Sequence, residues 1–267
     1  MYSDAHTHLT GSPFGEKVLT PQELQAVLKN DRDNGVVLIV AGSTDLATAK
    51  RLFAIAAAED IVYASIGIHP WIAEQLDADT YQAFKMLAQH PKVVAFGEIG
   101  LDESRSRSSK ETQIQCLSQQ LRLCRETGLP PIIHQRGLHK ELMDAISREQ
   151  PPAGAMHGFN GDAVELQEWL DLGYYITVGC AVLAPEGLPL KEIVRQVPED
   201  RLLLESDGVK RSSAGAWEGQ ERVIRVAQVV ASWRGTTAEK IGAAATANLK
   251  RWLKIKSGTD GANSADN

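Results

Sequence analysis

The chain has 267 residues, 43% of them hydrophobic and 23% charged, with a formal net charge of −6. That is enough apolar chain for a sizeable core, in one large domain or two small ones. The acidic balance excludes a chain-wide basic nucleic-acid surface, although bound divalent ions would supply positive charge locally.

No apolar run is long enough to span a bilayer, and the opening "MYSDAHTHL" lacks the basic start and apolar core of a signal peptide. The three cysteines, Cys116, Cys124 and Cys180, include no CxxC pair. Cys116 and Cys124 fall eight residues apart on one predicted helix, ~12 Å along its axis, too far for a disulfide. Reduced thiols in a cytoplasmic protein are expected.

In chain order, a short strand is predicted at Tyr2 to His6. The helix "TPQELQAVL" follows, with Thr20 as N-cap, Pro21 at the first helical position and Glu23 completing a capping box. Then come a strand "VVLIVAG" from Val36, a helix within "STDLATAKRLFAIAAAED", and strands "IVYASIGIH" from Ile61 and "VVAFGEIG" from Val93. The amphipathic "KETQIQCLSQQLRLCRETG" stops at Gly128 and precedes the strand "PPIIHQR" from Pro130. Next are a strand "AGAMHGF" from Ala153, a helix "DAVELQEWLDLG" ending at Gly173, and strands "YYITVG" from Tyr174 and "RLLLESD" from Arg201. The closing helix, "TTAEKIGAAATANLKRWL", opens with a second expected box, Thr236 to Glu239.

Eight near-continuous apolar strands alternating with helices predict an α/β fold, a single-domain (β/α)8 TIM barrel over residues 1–254. A doubly wound open sheet is the fallback. Residues 255–267 are small and polar, and a disordered tail is expected there.

In such a barrel, chemistry sits at the C-terminal ends of the strands. His6 and His8 end strand one, His69 strand three, Glu98 strand four, His134 strand five, His157 strand six and Asp207 strand eight. Each has an ordinary structural reading alone. His134 suits a core histidine bonded to backbone, His157 a turn cap, Asp207 a turn aspartate before Gly208, and Cys180 packing. Those readings do not explain why imidazoles and carboxylates collect on one rim. Together they can hold two divalent ions if one carboxylate bridges, a donor set that suits Zn²⁺, Mn²⁺ or Fe²⁺ more naturally than Mg²⁺.

The ordered blocks "DAHTHL", "GIHPW", "FGEIGLD", "QLRLCRETGLPPIIHQR", "MHGFNG" and "LLLESD" resemble the TatD family of metal-dependent deoxyribonucleases, within the amidohydrolase-like barrels. The likeness runs from about Tyr2 to Leu253. It implies that His6, His8 and Asp207 hold one metal, that His134 and His157 hold a second, and that Glu98 bridges. It further implies two divalent ions (Mg²⁺, Mn²⁺ or Zn²⁺), Asp207 as base, and His69 and Arg136 as phosphate contacts. The implied substrate is DNA, trimmed 3′ to 5′ from single-stranded ends. Many amidohydrolases place a carboxylated lysine where this chain has Glu98, which separates it from that branch.

Two loops depart from the family. "ESDGVKRSSAGAW" loses the usual proline and aromatic after the last aspartate, and "ESRSRSSKET" lacks a tyrosine common after "GLD". These changes bear on the substrate, so two alternatives stay open. One is hydrolysis of a small-molecule amide, ester or phosphodiester; the other is a non-catalytic barrel subunit of a complex.

Overall fold

A computed structural model of the chain describes residues 1–11, 18–104, 107–211 and 217–256. The predicted apolar runs form eight parallel strands: β1 (Tyr2–Thr7), β2 (Val36–Gly42), β3 (Val62–Ile66), β4 (Val93–Asp102), β5 (Pro131–Arg136), β6 (Ala155–Met156), β7 (Tyr175–Val178) and β8 (Leu202–Leu204). Each pairs with the next in sequence, so the sheet order is β1 to β8 and the architecture is a nearly closed (β/α)8 barrel. β1 through β5 run five to ten residues before their loops, whereas β6 is only two residues long. Most of the expected tail, 257–267, lies outside the described residues, as do parts of both atypical loops.

Nine helices surround the sheet among the described residues: α1 (Pro21–Asp33), α2 (Leu46–Ala58), α3 (Ala78–Leu87), α4 (Lys110–Thr127), α5 (His139–Glu149), α6 (Ala163–Asp171), α7 (Leu190–Gln196), α8 (Arg222–Arg234) and α9 (Ala238–Trp252). The Thr20–Glu23 capping box closes α1 as expected. Gly128 ends α4 with φ of 74°, a left-handed position where glycine carries no Cβ penalty. The second expected box is displaced by one residue. Thr237, not Thr236, caps α9 by accepting from the Lys240 amide. Glu239 therefore acts on the first-turn dipole instead of closing a box. A two-stranded antiparallel pair, β9 (Lys210–Arg211) with β10 (Trp217–Glu218), follows β8.

All three cysteines are free, with Cys116 and Cys124 buried on α4. Burial pushes the Cys116 thiol up to about 12, so it packs as an apolar group.

Among the described residues no ladder joins β8 to β1. Asp4 bridges the seam instead. Its Oδ1 accepts from the Ser206 amide at 3.0 Å and from the His6 amide at 3.2 Å. The Asp207 amide donates to the His6 carbonyl at 3.1 Å. Thr7 Oγ1 adds a hub, accepting from the Gly208 amide at 3.1 Å and from Gln220 Nε2 at 2.9 Å. These bonds fix the backbone of the rim on which strand one and strand eight present their polar residues.

A second buried acid lies beneath the hairpin. Asp31 of α1 is fully buried, and its Oδ1 accepts from the Glu221 amide at 2.8 Å. Burial, the Glu221 side chain and the more distant Asp4 raise its carboxyl to about 8. The folded protein therefore binds this proton more tightly than the unfolded chain. Its contribution is fully present below the ordinary aspartate range near 4 and is lost as pH rises toward 8. Asp31→Asn mimics the protonated form. Its Tm is expected to come closest to the parent's near pH 4 and to exceed it increasingly toward pH 8.5. Parallel Tm curves across that range would refute the assignment.

Candidate metal centre

Glu98 sits within β4, at the middle of the rim, and is 3% exposed. Its two carboxylate oxygens face different partners. Oε2 lies 3.5 Å from His6 Nε2 and 3.3 Å from His8 Nε2. Oε1 lies 2.5 Å from His134 Nδ1 and 3.4 Å from His157 Nε2. One oxygen thus serves the pair from β1 and the other serves the pair from β5 and the β6 loop.

The ring nitrogens that face Glu98 are Nε2 in three histidines and Nδ1 in His134. In His8, His134 and His157 the opposite nitrogen is held from behind, whereas buried His6 Nδ1 has no hydrogen-bond partner among the described residues. His157 Nδ1 is 2.8 Å from Glu205 Oε2, which also accepts from Thr177 Oγ1. His134 Nε2 is 2.9 Å from Asp102 Oδ2. His8 Nδ1 is 3.2 Å from the Gly42 carbonyl. A carboxylate behind an imidazole fixes the ring's tautomer and strengthens the facing lone pair, as in metal-ligating histidines generally. Asp102 accepts further from Trp71 Nε1 at 2.8 Å and from the Ser104 amide at 2.7 Å. Burial pushes the Asp102 carboxyl up, but His134, Ser104 and Trp71 outweigh it and hold it well below the usual range.

Electrostatics follow the same division. Burial alone would strip the proton from His157, but Glu205 and Glu98 reverse this and raise the ring to about 10. Burial would likewise raise Glu98, yet His157, His134 and His69 hold it well below the ordinary carboxylate value. A cluster this charged and this buried is costly without a further partner.

Asp207 follows β8 in a left-handed backbone conformation, φ 56°. That is unusual for a residue other than glycine and suggests stored strain. Its Oδ1 is 3.9 Å from both His8 Nε2 and His157 Nε2, so it stands between the two halves. Its side chain is half exposed at the barrel mouth. His6, His8 and Asp207 present ligand atoms within 4.8 Å of one another, as do His6, Glu98 and His157, and also His69, Glu98 and His134. The converging imidazole and carboxylate donors match the chemistry of divalent-metal sites.

His69 differs from the other four. It lies beyond β3, where it caps a 3₁₀ turn at Pro70–Gln75, and its Nδ1 accepts from the Trp71 amide at 3.1 Å. Nδ1 is therefore the unprotonated nitrogen, and the neutral ring carries its proton on Nε2. Burial lowers the ring to about 3, which keeps it neutral. Nε2, 3.8 Å from Glu98 Oε1, thus points a donor and not a lone pair into the centre. Arg136 ends β5, and its guanidinium lines the cavity beside Asp207.

All seven sequence-predicted positions on strands one, three, four, five, six and eight meet at this centre, with Arg136 at its edge. Sequence reasoning did not single out Asp4, Asp102 or Glu205 as partners. Their signal was a carboxylate inside a buried, apolar strand end. Gly42 was also missed: a Cβ there would stand 2.9 Å from the His6 ring, so the glycine makes room for that histidine.

A barrel rim that gathers imidazoles around one carboxylate defines the class of metal-dependent barrel hydrolases. Within that class the chain belongs to the family described as TatD related DNase, whose model matches residues 3–254. It is 31% identical to an uncharacterized metal-dependent hydrolase, YabD, of Bacillus subtilis over 96% of this chain and 100% of the relative. It is 29% identical to the 3′-5′ ssDNA/RNA exonuclease TatD of Klebsiella pneumoniae over 94% of this chain and 97% of the relative. The crystal structure of YjjV, a TatD homolog from Escherichia coli K12, superposes with a TM-score of 0.82 at 26% identity, covering 96% of this chain and 98% of that one. No helix among the described residues is long and apolar enough to cross a membrane.

Proposed function

We propose that the chain is a two-metal phosphodiesterase that trims single-stranded DNA from its 3′ end. The observation that carries this reading is the division of Glu98, with one oxygen toward His6 and His8 and the other toward His134 and His157. In this reading His6, His8 and Asp207 hold one ion, His134 and His157 hold the second, and Glu98 bridges them. When bound, a pair of divalent ions supplies an activated water and neutralises charge on the phosphoryl oxygens.

The chain's own groups do the rest. Asp207 Oδ1, between the two halves, takes the proton released by the attacking water. His69 Nε2–H donates to a phosphoryl oxygen as charge builds there. The Arg136 guanidinium grips a phosphate through its planar fork. The imidazole-rich set favours Zn²⁺ or Mn²⁺ over Mg²⁺. Relatives named as single-strand exonucleases support the choice of polymer.

The test is nucleotide release from single-stranded DNA, duplex DNA and RNA with Mg²⁺, Mn²⁺ and Zn²⁺. Release from single-stranded DNA that requires a divalent ion and advances from the 3′ end supports the reading. Absence of release under every ion overturns it.

The tautomer of His69 separates its role from that of the ligands. His69→Ala is expected to lower kcat roughly 100-fold, the scale of a lost charge-stabilising donor. Divalent-ion affinity by calorimetry should stay within about threefold of the parent. A loss of one bound ion per chain would make His69 a ligand instead.

A further inference from the structure

A cavity of about 260 Å³ opens beside Asp207, between the loops that follow β6, β7 and β8 and the start of α7. Two cations line it, Arg136 and Lys210. Among the described residues no carboxylate lies within ion-pair distance of either, in a chain whose net charge is −6. The remaining lining is mixed: Phe159, Val182, Leu190 and Val194 form an apolar wall, and Glu205, Ser206 and Asp207 close the side toward the centre. Lys210 stands three residues beyond Asp207 on the loop that follows β8.

The lysine is also held in place. Its backbone pairs with Glu218 in the β9–β10 ladder. Buried Arg222 donates to the Gly208 carbonyl at 2.7 Å and fixes the loop two residues upstream. Its neighbour Arg211 stacks on Trp217 at 5.1 Å. Trp217 Nε1 in turn donates to Glu23 at 3.1 Å. Lys210 and Arg211 thus have different surroundings, one lining the cavity and the other packed on the hairpin.

We propose that this cavity is the subsite for the nucleotide next to the scissile phosphate. That nucleotide lies on the 5′ side of the scissile phosphate: Lys210 binds its 5′-phosphate, and the apolar wall receives its base. The inference rests on the nuclease reading above and adds a specificity determinant to it. The chemistry required of the ligand is an anion joined to a flat apolar body, and the cavity is below the ~300–1,000 Å³ usual for drug-sized ligands. It therefore holds one nucleotide and not a run of strand.

The test uses the metal-loaded protein and thymidine 3′,5′-bisphosphate, a probe with a second phosphate, measured by calorimetry. Lys210→Ala should weaken its binding about 10-fold and Lys210→Glu about 100-fold. The slope of log Kd against log salt should fall by about one in the alanine variant. The KM for single-stranded oligonucleotide should rise in the same order. Inorganic phosphate, which lacks the second group, should lose far less affinity. Lys210 is exposed, so neither change threatens folding. If both variants bind the bisphosphate and the oligonucleotide as the parent does, the subsite is overturned while the nuclease reading stands. If the parent cuts no DNA yet binds the bisphosphate through Lys210, the nuclease reading fails and the pocket stands as a phosphate-ligand site.

Discussion

Glu98→Ala is expected to abolish turnover, with kcat/KM down on the order of 10⁴-fold, comparable to loss of a central group in a cooperative active site. Both halves of the centre meet on this one carboxylate, so the variant should bind less than one divalent ion per chain where the proposed centre takes two. Glu98→Gln is the sharper test. It keeps the shape of the side chain in a site only 3% exposed, but removes the charge and one acceptor oxygen. Without metal the glutamine variant should unfold below the parent's temperature, because the buried rings that hold Glu98 ionised lose their counter-charge. Added Mn²⁺ or Zn²⁺ should then raise the parent's Tm and leave the variant's almost unmoved. An equal metal-induced shift in both proteins would show that the ions sit elsewhere.

Asp102→Ala and Glu205→Ala are expected to cost 10–100-fold each in metal affinity, the usual effect of removing a carboxylate behind a ligating imidazole. Neither residue faces the centre; each reaches it through one ring, Asp102 through His134 and Glu205 through His157. A purely structural role would lower stability with no change in the ions. The discriminating readout is therefore ion affinity by calorimetry, set beside thermal unfolding of the metal-free proteins. The conservative variants Asp102→Asn and Glu205→Gln keep an acceptor oxygen for the ring and should recover part of the affinity. The apo proteins should differ in Tm far less than the holo proteins. Unchanged affinity in both alanine variants would refute the role.

The strands were legible because a parallel sheet buried on both faces must be written as near-continuous apolar runs. The rim was legible for a related reason. A single imidazole or carboxylate after such a run is conspicuous, and His6, Glu98, His134 and His157 all stand there. Helices were less so. α5 begins after Gly137 and Leu138, both at positive φ, with no side-chain cap to announce it. α8 follows Glu221 at its N-cap position, with no side-chain cap either. The Thr236–Thr237 ambiguity arose because adjacent threonines offer the same hydroxyl, and only the packed backbone selects one. Pairings such as Asp102 with His134 or Glu205 with His157 span 32 and 48 residues, and no local pattern encodes them. Asp4 shows the same limit. It sits in the quoted "DAHTHL", yet its partner Ser206 is 202 positions away.

That separation has a consequence for how the molecule comes into being. Because Asp4 and not a full ladder ties the first strand to the last, closure of the barrel depends on contacts between residues 202 positions apart. His6 and His8 are made first, and Asp207 arrives only after most of the chain has been synthesised. Joining them is among the longest-range closures in the protein, and such contacts form late because their loop entropy must be met first. The centre is therefore assembled last, on a chain whose other strands already have neighbours. A truncated chain ending before Ser206 would carry every histidine of the rim and still lack the seam and the aspartate, and so could not complete the centre.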